Sequence, residues 1–199
     1  MRKLSFISVL ALVVALAACS NQKPAAEAAL KSAQDAYNRV SADAQKYVPD
    51  QARAIQDSLA SAQAALAKND YEGVLKQTQS INTQISALGS AIAAKKTELT
   101  TTWTTMSAGV PKMVDALKSR VDILSQSKKL PAGITKQTVD AAKAGLASAA
   151  TTWSEATAAA SAGDVATAVS KGTAVRASIV NMMQSLNMQV PGGAEAAGS

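Results

Sequence analysis

Apolar residues recur at alternating steps of three and four along most of this chain. The clearest case surrounds Asn69-Asp70, where one apolar series enters a turn and another leaves it. Alternating three-four spacing places each series on one stripe of a helix, so the stretch predicts two amphipathic helices folded into a hairpin. The entering series is Ala52, Ile55, Leu59, Ala62 and Leu66, and the leaving series is Tyr71, Val74, Thr78, Ile81, Ile85, Leu88 and Ile92.

The same hairpin pattern occurs again around Gly163-Asp164, at a constant offset of 94 residues (164 − 70). In each turn the first residue suits the left-handed conformation that ends a helix, and the aspartate suits the cap of the next helix. Because a pattern kept in phase over two helices rarely arises by chance, it predicts a duplication. The entering series is Leu146, Ala149, Trp153, Ala156 and Ala160, and the leaving series is Val165, Ala168, Gly172, Val175, Ile179, Met182 and Leu186.

One further helix is predicted before each hairpin. The first begins at Pro24 and ends before Pro49, and Asp50 is the predicted cap of the helix that follows. The fourth begins at Pro111, after a break near 107–111, because the glycine and the proline there disfavour a continuous helix. Their apolar series are Leu30, Ala33, Tyr37, Val40, Ala44 and Tyr47, and Val114, Leu117, Val121 and Leu124.

These patterns predict an all-α protein: an elongated helical bundle made from two tandem three-helix units with coiled-coil-like packing. Only 3% of the residues are aromatic and alanine dominates the apolar positions, so the helices must be long to bury enough apolar area. The predicted units span 24–95 and 111–188, with a threonine-rich connector at 96–110. The predicted remainder is a signal peptide at 1–18, a tether at 19–23 and a disordered tail at 189–199.

The residue types that the chain lacks limit the metal sites and catalytic groups that it can form. There is no histidine and only one cysteine, which excludes zinc and copper sites built from imidazole and thiolate ligands. Serine therefore has no histidine to activate it, and neither a phosphate-binding glycine loop nor a nucleophile with its base is present. We predict no enzyme activity, and no catalytic, cofactor-binding or metal-binding residue.

The formal net charge of +6 does not indicate a nucleic-acid-binding protein. Two of the positive charges, Arg2 and Lys3, belong to the leader segment. Elsewhere opposite charges lie four residues apart, as in Lys118 and Asp122, where they pair on a solvated helix face. Nucleic-acid binding would require clustered positive charge, so we expect no such partner.

The N-terminus has the layout of a secretory signal peptide, with a basic start and an apolar run too short to span a membrane. The run ends in Leu16-Ala17-Ala18-Cys19, which resembles the lipobox of bacterial lipoproteins. The resemblance implies cleavage before Cys19, diacylglycerol on its sulfur and acylation of the new amine. Ser20, where an aspartate would retain the protein at the inner membrane, implies an outer-membrane protein facing the periplasm. The alternative is an ordinary signal peptide with an incidental cysteine.

The first hairpin resembles an uncharacterised, alanine-rich helical domain that recurs in bacterial envelope lipoproteins. The resemblance covers about 27–92 and rests on Tyr47-x-Pro49, the leucine-alanine helix and Asn69-Asp70-Tyr71. The second hairpin departs from it, because Val165 replaces the tyrosine. That family has no established activity, so the resemblance implies a fold and a location only.

Two tryptophans and a methionine-rich helix are the remaining candidates for binding. Trp153 takes the repeat position of Leu59 and is predicted to be a core residue. Trp103 lies outside the duplicated pattern, and two interpretations of it stay open: a packing residue or part of an interaction surface. We expect the chain to fold back at the predicted break near 107–111, so that the second unit covers Trp103. Met182 belongs to an apolar series, which favours core packing over an adaptable binding face.

Together these features predict a lipid-anchored, non-enzymatic structural or protein-interaction module, held at the membrane through Cys19. Its expected partner is an unknown envelope protein. The alternative function is a carrier that holds a small apolar ligand or a lipid between its helices, which would require a cavity there.

Overall fold

The structure is a computed structural model that describes residues 22–191. Over this range the protein is all-helical, with no strand. None of the helices within residues 22–191 combines the length and hydropathy needed to cross a bilayer. The predicted signal peptide, Cys19 and the part of the tail beyond Pro191 lie outside the described residues. The helices are α1 (Lys23–Asn38), α2 (Ser41–Tyr47), α3 (Pro49–Ala67), α4 (Tyr71–Gln126), α5 (Lys136–Ser161) and α6 (Val165–Ser185).

The chain divides into two compact units, Met1–Lys95 and Lys96–Ser199. The first unit contains α1, α2, α3 and the N-terminal part of α4, and the second contains the rest of α4 with α5 and α6. The threonine-rich stretch 96–110, which the sequence predicts to be a connector, is helical and falls within the second unit.

Helix α4 is continuous over 56 residues, so the predicted break near 107–111 and the separate helix starting at Pro111 are wrong. Fold-back at that point is wrong for the same reason. A proline inside a helix costs one backbone hydrogen bond, but the cost is local. Burial of apolar side chains on both sides of Pro111 offsets it. The residues of this part of α4 in the core are Met106, Val110, Met113, Leu117, Val121 and Leu124.

The threonines of α4 are also compatible with the helix, although threonine has a low helix propensity. Their hydroxyls donate to the carbonyl oxygens four residues earlier, at 2.8–3.2 Å, so their polar groups are satisfied on the helix itself. These threonines are Thr100, Thr101, Thr102, Thr104 and Thr105.

The helix predicted between Pro24 and Pro49 is in fact two helices, interrupted at Arg39-Val40. The Ser41 hydroxyl donates to the Asn38 carbonyl at 3.0 Å across the interruption. The predicted apolar series continues past it, because Tyr37 and Tyr47 are both buried. The Tyr37 hydroxyl donates to the Ala52 carbonyl at 3.2 Å and so ties α1 to α3.

The start of α3 differs from the prediction in one detail. Pro49 is itself the first residue of the helix, and Val48 precedes it outside helical geometry, with φ −143° and ψ 59°. Asp50 therefore lies in the first turn and does not act as the cap. Proline suits this position because the missing N–H would have no helical partner there.

Both predicted hairpin turns are confirmed. Asn69 and Gly163 have positive φ angles of 61° and 80°, which end the preceding helices in the left-handed region. Asp70 accepts the Gly73 backbone N–H at 2.9 Å, and Asp164 accepts the Thr167 N–H at 3.0 Å, each capping the next helix.

The apolar series predicted from spacing form most of the buried residues. In the first hairpin the leaving series is buried at Val74, Thr78, Ile81, Leu88 and Ile92, whereas Ile85 is half-buried. In the second hairpin Ile179 and Leu186 are fully buried.

Contacts within the second unit define the directions of its three helices. The Arg120 Nη2 donates to the Leu186 carbonyl at 3.4 Å, a separation of 66 residues. Met106 lies against Gly172 at the same separation, so this part of α4 runs parallel to α6. Helix α5 lies antiparallel to α6, to which the tight turn joins it.

Candidate functional site

The two tryptophans meet in the second unit. Trp103 on α4 and Trp153 on α5 stack with ring centroids 5.2 Å apart and planes inclined by 27°. Both side chains are half-buried, and the centroid distance is typical of favourable aromatic pairs. Trp103 thus packs against Trp153 within the second unit and keeps part of its ring exposed. The pair connects α4 to α5.

Two glycines let the helices of this unit approach one another. A Cβ built on Gly172 would lie 2.9 Å from Met106 Cε and 3.4 Å from Trp103 Cζ3. A Cβ built on Gly145 would lie 2.5 Å from Met182 Sδ. Each glycine thus leaves space that a methionine from a neighbouring helix fills. Sequence reasoning placed Gly172 on an apolar series but did not identify its contact.

Several ion pairs on the helix surfaces follow the predicted four-residue spacing, whereas the Lys171–Glu155 pair at 2.7 Å joins α6 to α5. Lys118 and Asp122 pair at 3.4 Å, as predicted, with both side chains exposed. Lys76 and Glu72 pair at 2.7 Å. Their hydrogen bond, together with the carboxylate charge, raises the pKa of Lys76. Such exposed pairs contribute little to stability in water.

Two grooves on the surface of the described residues are open to solvent. One runs between α1 and α3, where Tyr37 and Leu59 contribute to a lining that also includes the Lys31–Asp35 ion pair. Its other polar lining residues are Gln34, Asn38, Gln56 and Gln63. A smaller groove lies beside Ile123 on α4.

Cys19, the predicted lipid attachment site, lies outside the described residues. Three residues separate it from Lys23, where α1 begins. Within residues 22–191 there is no cluster of three or more side chains that could hold a metal ion.

Among the described residues, the Trp103–Trp153 stack and the two methionine–glycine contacts join the helices of the second unit. Comparisons of the chain with protein-family models, with curated proteins and with solved structures found no match. Any function must consequently be inferred from the residues of this chain.

Proposed function

We propose that the protein is a lipid-anchored lipoprotein of the bacterial envelope that acts as a non-enzymatic structural or protein-interaction module. The observation that carries this proposal is Leu16-Ala17-Ala18-Cys19 at the end of an apolar leader, with the only cysteine of the chain at the position that the motif requires. One acyl chain binds a membrane marginally, whereas two or three anchor it stably, at about 0.8 kcal/mol per buried CH₂.

The short distance from Cys19 to α1 supports a body held close to the membrane. An extended chain spans at most about 3.6 Å per residue, so Lys23 would lie within roughly 15 Å of the anchored cysteine. We place this anchor in the outer membrane, facing the periplasm, because Ser20 follows the cysteine.

We further propose that the bundle consists of two tandem three-helix units, related by duplication and packed like coiled coils. The two turns support this relationship, because Asn69 and Gly163 share a left-handed conformation at the offset of 94 residues. The aspartate after each of them caps the next helix through the N–H group three residues on. In each unit the three-four spacing of the buried residues supports coiled-coil-like packing.

An unknown envelope protein is the partner that we propose for this module. The absence of histidine and the surface pairing of charged residues support a non-enzymatic role. The carrier alternative gains no support from the second unit, because Met106 and Met182 fill the spaces beside Gly172 and Gly145. If the protein were a lipid carrier, lipid would co-purify with it.

The anchor is tested by labelling growing cells with a radioactive fatty acid. Wild-type protein should carry the label and sediment with membranes, and Cys19→Ser should lose both properties, because no other residue can form the thioether. Ser20→Ala is the matched control and should retain the label. A wild-type chain that remains unlabelled would contradict the proposal. Crosslinking in intact cells can then capture the partner.

A further inference from the structure

The methionines of this protein are concentrated in one unit. Apart from Met1, all of them lie in the second unit, and residues 22–95 contain none. Met106, Met113 and Met183 are buried in its core, and Met182 and Met188 are half-buried beside that core. Oxidation of methionine would therefore act on the second unit and leave the first unit chemically unchanged.

Met182 combines access to solvent with a close contact in the interior. Its sulfur lies beside Gly145 of α5, where a Cβ would be only 2.5 Å from Sδ and 3.5 Å from Cε. The side chain thus packs against helix backbone whose N–H groups are already used within α5. Met182 is also one turn from Ser185, where α6 ends, and helix ends open more readily than helix interiors.

We propose that Met182 is a site of reversible oxidation that loosens α6 from α5. The oxidant is a peroxide such as hydrogen peroxide. A lone pair of the thioether sulfur attacks one peroxide oxygen, so that the S–O bond forms and the O–O bond breaks. The proton on the transferred oxygen passes to the departing hydroxide, which leaves as water. The sulfur is oxidised by two electrons to the sulfoxide, and the peroxide is reduced by the same two electrons.

The sulfoxide is polar and does not fit the contact with Gly145. If its oxygen faced α5, it would be buried without a hydrogen-bond donor, which is unfavourable. If it faced water, the side chain would have to leave the space beside Gly145. Either outcome removes apolar packing between α5 and α6. Methionine sulfoxide reductases can reverse the modification, so the loosening is reversible.

The test treats the purified full-length chain with graded hydrogen peroxide and follows two quantities. Peptide mass spectrometry gives the order in which methionines gain oxygen, and hydrogen exchange gives the opening of each helix. Met182 should be oxidised before the buried Met106, Met113 and Met183. Exchange in the facing parts of α5 and α6 should then rise about tenfold or more, equivalent to about 1.4 kcal/mol, while α1 to α3 stay unchanged. Reductase treatment should restore the original exchange.

Two variants separate Met182 from other oxidation sites. Met182→Leu keeps an apolar side chain and should abolish the peroxide-induced rise, whereas Met188→Leu should retain it. If Met182→Leu fails to fold, wild-type protein in which only Met182 is oxidised provides the same comparison. The proposal is overturned if Met182→Leu loosens as much as wild type, if oxidised Met182 leaves exchange unchanged, or if Met182 resists oxidation while buried methionines react.

Discussion

At the scale of single residues, four glycines within the helices fall into two kinds. Gly145 and Gly172 face methionines on neighbouring helices, whereas Gly89 and Gly109 lie in α4, where a Cβ would meet no atom of a neighbouring helix within 4 Å. All four are helical, and helix propensity alone would favour alanine at each. The difference between them lies in the space next to the residue, which depends on packing.

Alanine at Gly145 and Gly89 should therefore have different effects. Gly89→Ala should stabilise the protein by about 0.5–1 kcal/mol, because it removes backbone freedom from the unfolded chain and meets open space. Gly145→Ala must displace the Met182 sulfur and should be less stable than Gly89→Ala by about 1–3 kcal/mol. Urea denaturation of both variants measures this difference, and equal stabilities would show that the Met182 contact is absent.

The two isoleucines at one repeat position also differ. Ile85 and Ile179 are equivalent by the offset of 94 residues, so spacing predicts the same burial for both. Ile179 is completely buried and Ile85 is half-buried. Ile179→Ala should cost about 2–5 kcal/mol of unfolding free energy, and Ile85→Ala clearly less. Chemical denaturation decides between them, and a larger loss at Ile85 would contradict this difference in burial.

At the scale of elements, local rules predicted where most helices begin and end. The two hairpin turns followed from residues that favour a left-handed conformation and from the caps beside them. Pro111 is the instructive exception, because a local rule places a break where the helix continues. Val110 and Met113 are buried on either side of Pro111. The spacing rules do not include the free energy gained when such side chains are buried against other helices. The interruption at Arg39-Val40 had no proline or glycine to signal it.

The continuity of α4 predicts an unusual effect of removing a proline. Pro111→Ala should raise stability by about 1–3 kcal/mol, because a proline inside a helix is about 3 kcal/mol less favourable than alanine and the unfolded chain gains back some freedom. Pro49→Ala is the matched control at the first residue of α3, where proline costs little. Thermal unfolding compares the two. If Pro111→Ala leaves the thermal stability unchanged, Pro111 lies at the start of a helix, which would contradict a continuous α4.

At the scale of the whole molecule, the helical class and the apolar series could be predicted from the sequence, but the contacts across helices could not. Spacing identifies which residues share a helix face and gives no information on which face of another helix they meet. The stack of Trp103 on Trp153 joins residues far apart in the chain. The fit of Met182 beside Gly145 likewise depends on how closely two helices approach.

The proposed lipid anchor is the feature that connects this helical body to a function. Cys19 precedes α1 by a few residues, so modification there would hold the first unit close to a membrane. An interaction module needs no reaction centre, and a fixed position at the membrane surface determines which partners it can reach. The role proposed for the protein therefore depends on processing at a single residue.

The most direct test is the intact mass of the mature protein purified from the cells that naturally produce it. The predicted species begins at Cys19 and carries the added mass of a diacylglycerol group, with a further acyl group on its amine. Alkaline hydrolysis should remove the ester-linked chains and lower the mass accordingly. A mature chain that retains residues 1–18, or one that carries an unmodified thiol at Cys19, would contradict the proposed anchor.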